Sequence, residues 1–441
     1  MKKLWIVGLP VVLGALAFGV WAWLSPREWS TRNPEVLALV EHARGELNKL
    51  YYRDAAEILE KARAIEPNSF AVRYFLQRAY MGLGRPQEAK EHLEFLKTIP
   101  QESLTPRERM LLELLVLRRS GDREAYLTRL REYQAEYPRE VELARLLALA
   151  YQEVGNAEEA ERWGRKTLEL DANDALAYNI LGYAALARGR WGEAEEQFRK
   201  YAFIAPDQAN PHDSLGELYL ITGRLEEARK ELLAAVAANP RFYPTWRHLA
   251  DLAVLAGEPE AARRAVAELA RALDLKDDER AVVEATVLGL LGFFHDDPPL
   301  LRVSAAAIRT PKDEWEYFVV HEAAVSEGQW ATAEELEGKL EQAVASGAPG
   351  TRGFARILPL LRAQRLVAQG HFQEAVAAAD AAIAGSSFAN VGQAWIKLSG
   401  QCFEALALAR LGERYRALEL LAQVRAVNPR FPLVARVEGS L

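Results

Sequence analysis

The chain has 441 residues, 50% of them hydrophobic and 27% charged, which is ample for a buried core and by length alone would suggest roughly three domains. Its net charge is −7 and no block of Lys or Arg stands out, so the electrostatic footprint of a nucleic-acid binder is missing. The single cysteine, Cys402, excludes an intramolecular disulfide and a Cys-based zinc or iron–sulfur site, and on a helix it reads as a small buried apolar residue.

Residues 1–30 come first. Lys2 and Lys3 precede an uncharged, mainly apolar run from Leu4 to Leu24. At a rise of about 1.5 Å per residue this run spans roughly 30 Å, the thickness of a hydrocarbon core. Trp5 stands near one end and Trp21, Trp23 and Trp29 near the other, as expected of indoles at the two interfaces of a bilayer. The run is therefore read as one transmembrane helix. A cleaved secretory signal is the competing reading, with Ala15-Leu16-Ala17 as its small-x-small site, but the apolar run continues past that site to Leu24. The charges flanking the run are nearly balanced, so orientation rests on the short basic N-terminus, which favours export of the remainder, in a bacterium to the periplasm.

After residue 34 the sequence repeats. Tyr52, Ala55, Leu59, Ala62 and Pro67 form one unit, and Tyr80, Gly84, Ala89 and Leu93 the next; Ala55 and Ala89 are 34 residues apart. A degenerate unit follows around Gly121 and Ala125. From Val141 the period is regular. Ala160, Ala194, Ala228 and Ala262 are spaced by 34, and so are Gly155, Gly189, Gly223 and Gly257. Within one unit, Tyr178, Leu181 and Gly182 are followed by Gly189, Trp191, Ala194, Phe198 and Pro206. The apolar spacing is that of an amphipathic helix. Glycine ends the first helix, alanine sits where two helices cross, and proline closes the unit. Residues 276–312, including Phe293-Phe294-His295-Asp296-Asp297-Pro298-Pro299, keep little of this pattern. Beyond them Ala333, Ala375 and Ala417 are 42 apart, as are Gly328, Gly370 and Gly412. The added residues fall near Ser346–Gly353 and Gly385–Gly392, which are rich in small residues and read as loops.

A period of 34 with these residues at these places resembles the tetratricopeptide repeat, a helix–turn–helix unit. The resemblance covers roughly Val36 to Pro429. It implies an all-α, right-handed superhelix of about 10–11 helix pairs. The expected organisation is a transmembrane or signal-anchor segment over 1–30, an N-terminal array over 34–275, a divergent helical joint over 276–312, and a longer-period array with its cap over 313–441.

No catalytic motif accompanies the repeats. The seven histidines are scattered, and HExxH, Walker A and GxSxG patterns are absent. His295-Asp296-Asp297 reads as a solvated turn, and acidic pairs such as Glu226-Glu227 read as partners of helix N-terminal dipoles. No cofactor, no metal and no enzymatic activity are expected. In the family the resemblance indicates, the inner wall comes from the first helix of each pair. Carried over position by position, the groove residues are Arg145, Asn179, Tyr183, Asp213, Glu217, Arg247 and Asp251. They imply an acidic stretch suited to an extended, neutral or basic segment of a membrane or exported protein, with the lipid bilayer as a second partner through residues 4–24. The expected function is a membrane-tethered interaction scaffold or assembly factor in the cell envelope. The alternatives are a chaperone for cytochrome c maturation or envelope biogenesis and secretion, or an accessory subunit of a membrane complex.

Overall fold

In the computed structural model the described residues are 28–347 and 351–440. Among them every regular element is helical: 23 α-helices and one turn of 3-10 helix at Gln101–Ser103, with no strand. Twenty of the helices pack as ten hairpins, and a short one closes the chain. The apolar run Leu4–Leu24, with Trp5, Trp21 and Trp23, lies outside the described residues. Among the described residues no helix is long and apolar enough to cross a membrane.

The chain divides into two compact units, 1–129 and 130–441. The described part of the first holds α1 (Pro34–Asn48), α2 (Tyr52–Ile65), α3 (Phe70–Gly82), α4 (Pro86–Lys97), α5 (Pro106–Ser120) and the first half of α6 (Arg123–Glu136). Its helices start where the sequence supplies caps. Asn33 accepts from the N–H groups of Glu35 and Val36 at 3.0 and 3.4 Å, ahead of Pro34. Thr105 and Glu108 form a reciprocal capping box at 3.1 and 2.9 Å. The core is built on Val36, Val40, Leu59, Phe70, Phe75, Leu76 and Leu96. Trp29 belongs to this core rather than to a membrane interface. It is 7% exposed and meets Phe75 edge-on at 5.5 Å. The reason is local: Ser30 donates from its N–H and its hydroxyl to the buried Glu108 carboxylate at 2.9 and 2.8 Å, which pins the strand-like lead-in against α5 and carries the neighbouring indole inside.

The second unit contains α7 (Val141–Glu153), α8 (Ala157–Leu170), α9 (Ala175–Ala187), α10 (Trp191–Ile204), α11 (Ala209–Ile221), α12 (Leu225–Ala238), α13 (Tyr243–Ala256) and α14 (Pro259–Leu273). It continues with α15 (Asp277–Phe294), α16 (Pro298–Ala307), α17 (Glu314–Ser326), α18 (Trp330–Ala345), α19 (Arg352–Gln369), α20 (Phe372–Ala384), α21 (Val391–Arg410), α22 (Arg414–Val427) and α23 (Pro432–Glu438). The periodic alanines Ala160, Ala194, Ala228 and Ala262 are all fully buried. At these crossings a methyl group is what the close approach of two backbones leaves room for. The approach is tighter still at Gly182 and Gly216, where a Cβ would lie 2.3 Å from Phe198 and 2.5 Å from Leu232.

The periodic glycines turn the chain between paired helices. Gly223 and Gly257 both have φ near +70°, a backbone region that costs glycine little and other residues more. In the divergent stretch 276–312 the turn survives without glycine: Asp296 takes φ +55°, and α15 and α16 pack as an ordinary hairpin. Residues 346–347, 351 and 385–390 lie between helices, as expected near Ser346–Gly353 and Gly385–Gly392, but these links supply only part of the longer period. Most of the added residues lengthen the first helices of the last pairs, to 18 residues in α19 and 20 in α21, against 13 in α11. Small residues stand in the first turns of these helices because neighbours crowd them: a Cβ on Gly353 would meet the Glu314 carboxylate, and one on Gly392 would touch Trp315.

Length in those helices closes a ring. The first helices α11, α13, α15, α17, α19 and α21 touch in succession, and α21 returns to α11. At the seam the N–H of Val391 donates to Glu217 Oε1 at 3.1 Å, Phe388 meets Trp191 edge-on at 4.9 Å, and the Asn428 amide donates to the Leu220 carbonyl at 3.3 Å. The closing helix α23 covers the last pair with Leu433, Val434 and Val437.

The crossing alanines give a direct stability test. Ala228→Leu should destabilise the second unit by about 1–3 kcal/mol through overpacking, read as a lower midpoint of guanidinium unfolding. Ala237→Leu, on the exposed face of the same helix, should stay within about 0.5 kcal/mol of the parent. Equal effects at both positions would show that Ala228 is not a packing constraint.

Candidate functional site

The seven residues picked out by sequence all lie on the first helices α7, α9, α11 and α13 of the second unit. A repeat of about 34 residues puts equivalent positions of neighbouring units side by side, and their side chains bond across that gap. Arg145 pairs with Asp174 at 2.8 Å. Asn179 donates to the Ser214 hydroxyl at 3.0 Å, and the Tyr183 hydroxyl donates to Glu217 Oε2 at 2.8 Å. His248 Nδ1 and Asp213 Oδ1 are 3.0 Å apart. The inner wall is a polar ladder whose rungs join successive repeats.

The ladder changes character along the chain. Arg145, Asn179 and Tyr183 are partly exposed. Asp213 and Glu217, expected as an open acidic wall, are only 2% and 3% exposed. Two carboxylates placed there without compensation would be costly. The compensation is His248, 2% exposed, with Asp213 on one side and Glu217 Oε1 3.5 Å away on the other. Burial works against its charge, but the two carboxylates outweigh burial and hold its pKa up to about 10. Burial likewise pushes against ionisation of Glu217, yet His248 and the Tyr183 hydrogen bond hold it down to about 2. The site therefore contains an imidazolium between two carboxylates. His248 escaped the sequence reading because a lone histidine on an apolar helix has no motif. Its only signal was its 35-residue spacing from Asp213.

Arg247 and Asp251 occupy the next part of the wall, inside the ring, beside a cavity of about 440 Å³. Arg247 lines the cavity and is exposed to solvent. Burial raises the Asp251 carboxyl to about 6, against the pull of His248 and Arg247. The opposite walls come from the first turns of α17, α19 and α21 and from the apolar face of α15. Of the other sequence candidates, His295 is bonded to the Val254 carbonyl at 2.7 Å and Asp297 caps α16, so this cluster is a turn. Cys402 is buried in the ring, and burial pushes its thiol pKa up. Among the described residues no group of three or more His, Cys, Asp or Glu side chains is arranged to hold a metal ion.

The buried triad makes stability depend on pH in a signed way. His248, with its pKa raised above the unfolded value of 6.5, contributes stability that is complete below that value and lost as pH rises through about 10. Glu217, lowered from 4.5, contributes stability that is present above 4.5 and lost as pH falls through about 2. Urea midpoints should therefore fall between pH 6 and pH 9.5. His248→Gln should lower the midpoint at pH 6, by about 3–5 kcal/mol in free energy, and flatten the alkaline limb. A variant with the parent's pH slope would show that His248 is not the group responsible.

Comparison with known proteins agrees with this architecture. Tetratricopeptide repeat profiles match residues 52–102, 141–165, 167–209 and 214–277. No curated protein matches the sequence. Among similar solved structures is PilW, a type IV pilus biogenesis factor, at 18% identity and a TM-score of 0.40, covering 47% of this chain and 94% of that one. Another is pilF of Pseudomonas aeruginosa, at 20% and 0.34, covering 48% and 96%. A third is a tetratricopeptide repeat protein of Parabacteroides merdae, at 14% and 0.40, covering 59% and 98%. At these identities the likeness concerns the helical-repeat fold alone. The alanine and glycine ladders, the hairpins they shape and the matched profiles agree that residues 52–102, 141–165, 167–209 and 214–277 of this chain are tetratricopeptide repeats.

Proposed function

We propose that this chain is a protein-interaction scaffold or assembly factor that holds an extended segment of a partner along the inner wall of α7 and α9. One observation carries the reading. Arg145, Asn179 and Tyr183 are polar side chains on successive inner helices, aligned by the ladder and still partly open to solvent. The neighbouring wall at Asp213 and Glu217 is closed by the chain itself. The Asn179 side-chain carbonyl remains able to accept from a peptide N–H, and the Tyr183 ring offers area with a polar tip. The segment Leu4–Leu24 would tether the scaffold to a membrane, with the repeats on the exported side. Tethering raises the effective concentration of partners in the same membrane, so modest groove contacts suffice.

Two measurements test this reading. Crosslinking of the full chain in native membranes, followed by mass spectrometry, should recover a partner whose yield falls about fivefold or more in an Arg145→Ala, Asn179→Ala double variant with an unchanged circular dichroism melt; a fivefold loss corresponds to about 1 kcal/mol, the worth of one or two exposed polar contacts. Unchanged recovery would remove the groove from the mechanism. The full chain should also resist carbonate extraction from membranes while a form beginning at residue 28 is released. Release of both would remove the tether.

A further inference from the structure

The cavity inside the ring is distinct from the partly open wall of α7 and α9, and its ionisable groups divide into two sets. Most are satisfied from within. Glu217 and Asp213 hold His248 between them, and the negative charge left over faces Arg247. Asp313 caps α17, accepting from the N–H groups of Trp315 and Glu316 at 2.9 Å each. Glu316 accepts from the N–H of Lys312 at 2.7 Å.

Four groups on the wall are left over: Arg247 and Asp251 on α13, Glu314 on α17 and Arg356 on α19. Among the described residues none of the four makes a hydrogen bond or closes an ion pair, although Arg247 and Asp251 attract one another across one turn of α13. All four are open to solvent in the cavity, Arg247 the most, so their charged ends are available to a ligand. Two of them are cationic and two anionic. A molecule carrying both an ammonium and a carboxylate would engage both.

The remaining wall is apolar. Val283, Val287 and Leu290 of α15 face the cavity, with the indoles of Trp315 and Trp395 beside them. Trp395 is 3% exposed and its Nε1–H has no acceptor, which adds a further unused donor. The volume, about 440 Å³, falls in the range of small-molecule sites.

We propose that this cavity binds a small zwitterion with an apolar side chain, an apolar α-amino acid or its dipeptide. The carboxylate is held by Arg247 and Arg356, the ammonium by Asp251 and Glu314, and the side chain by the α15 face and the two indoles. This assignment does not depend on the scaffold reading, because it concerns the purified chain alone.

The test is a thermal-shift screen of the purified full chain against the apolar L-amino acids and their homodipeptides, followed by calorimetric titration of the strongest binder. At least one should bind. Its analogue without the amino group and its analogue without the carboxylate should each bind about tenfold more weakly or worse, the loss expected for one charge-assisted contact. Arg247→Gln and Glu314→Gln, each with an unchanged far-ultraviolet spectrum, should weaken the zwitterion by a similar factor. If one of these two variants fails to fold, Arg356→Gln or Asp251→Asn replaces it on the same side of the ligand. The proposal is overturned if no member of the panel binds, if an analogue with a single charge binds as well as the zwitterion, or if folded variants keep the parent's affinity.

Discussion

A buried carboxylate must find hydrogen bonds and counter-charge inside the protein, and Glu217 finds them on three different helices. Tyr183 of α9 and His248 of α13 come from the neighbouring repeats, and the N–H of Val391 from the start of α21, 174 residues away in sequence. No two of these are supplied by the same hairpin, so the site exists only when the stack has grown far enough to return on itself. A buried ion cluster is a poor source of net stability, since desolvation offsets most of its attraction. Its effect here is on register. If α21 slid along α11 by a residue, Glu217 would lose its N–H donor and keep its burial.

That constraint explains why the last pairs depart from the period of 34. A first helix of 13 residues suits an array in which each hairpin touches only its neighbours. The 20 residues of α21 pack against α11, α19 and α23 as well as their own partner α22, and added length supplies the extra surface. The crowded glycines fit the same account. Gly353 and Gly392 stand in the first turns of α19 and α21, where Glu314 and Trp315 of α17 press against the backbone.

Much of the fold was legible in the sequence, because the repeat writes the same local physics many times over. Ala194 and Ala228 mark crossings, and Gly223 and Gly257 mark turns, since the volume and the backbone angle at those places admit few alternatives. Where the motif fades, the structure keeps the hairpin through a substitute: Asp296 supplies the left-handed turn between α15 and α16. The candidate site was legible only in part. Position within the repeat identified Asp213, Glu217, Arg247 and Asp251 as facing inward. It could not show that for Asp213 and Glu217 inward meant buried, because the covering helix α21 carries no mark of its destination. Trp29 failed for a related reason. An indole beside an apolar run fits a bilayer interface and a protein core equally well, and the bonds from Ser30 to Glu108, 78 residues later, decide between them.

Taken alone, the amino-acid sequence determined the helix hairpin, its repetition, the crossing alanines and the face of each first helix that looks inward. All of these follow from interactions within about 35 residues, where spacing and side-chain size are sufficient information. The tertiary structure decided that the inner face of α11 would meet α21 rather than open solvent, that His248 would carry a charge between Asp213 and Glu217, and that Arg247, Asp251, Glu314 and Arg356 would share one cavity. Those outcomes depend on where helices far apart in the chain come to rest, and on the cost of leaving a buried charge without a partner once they have done so.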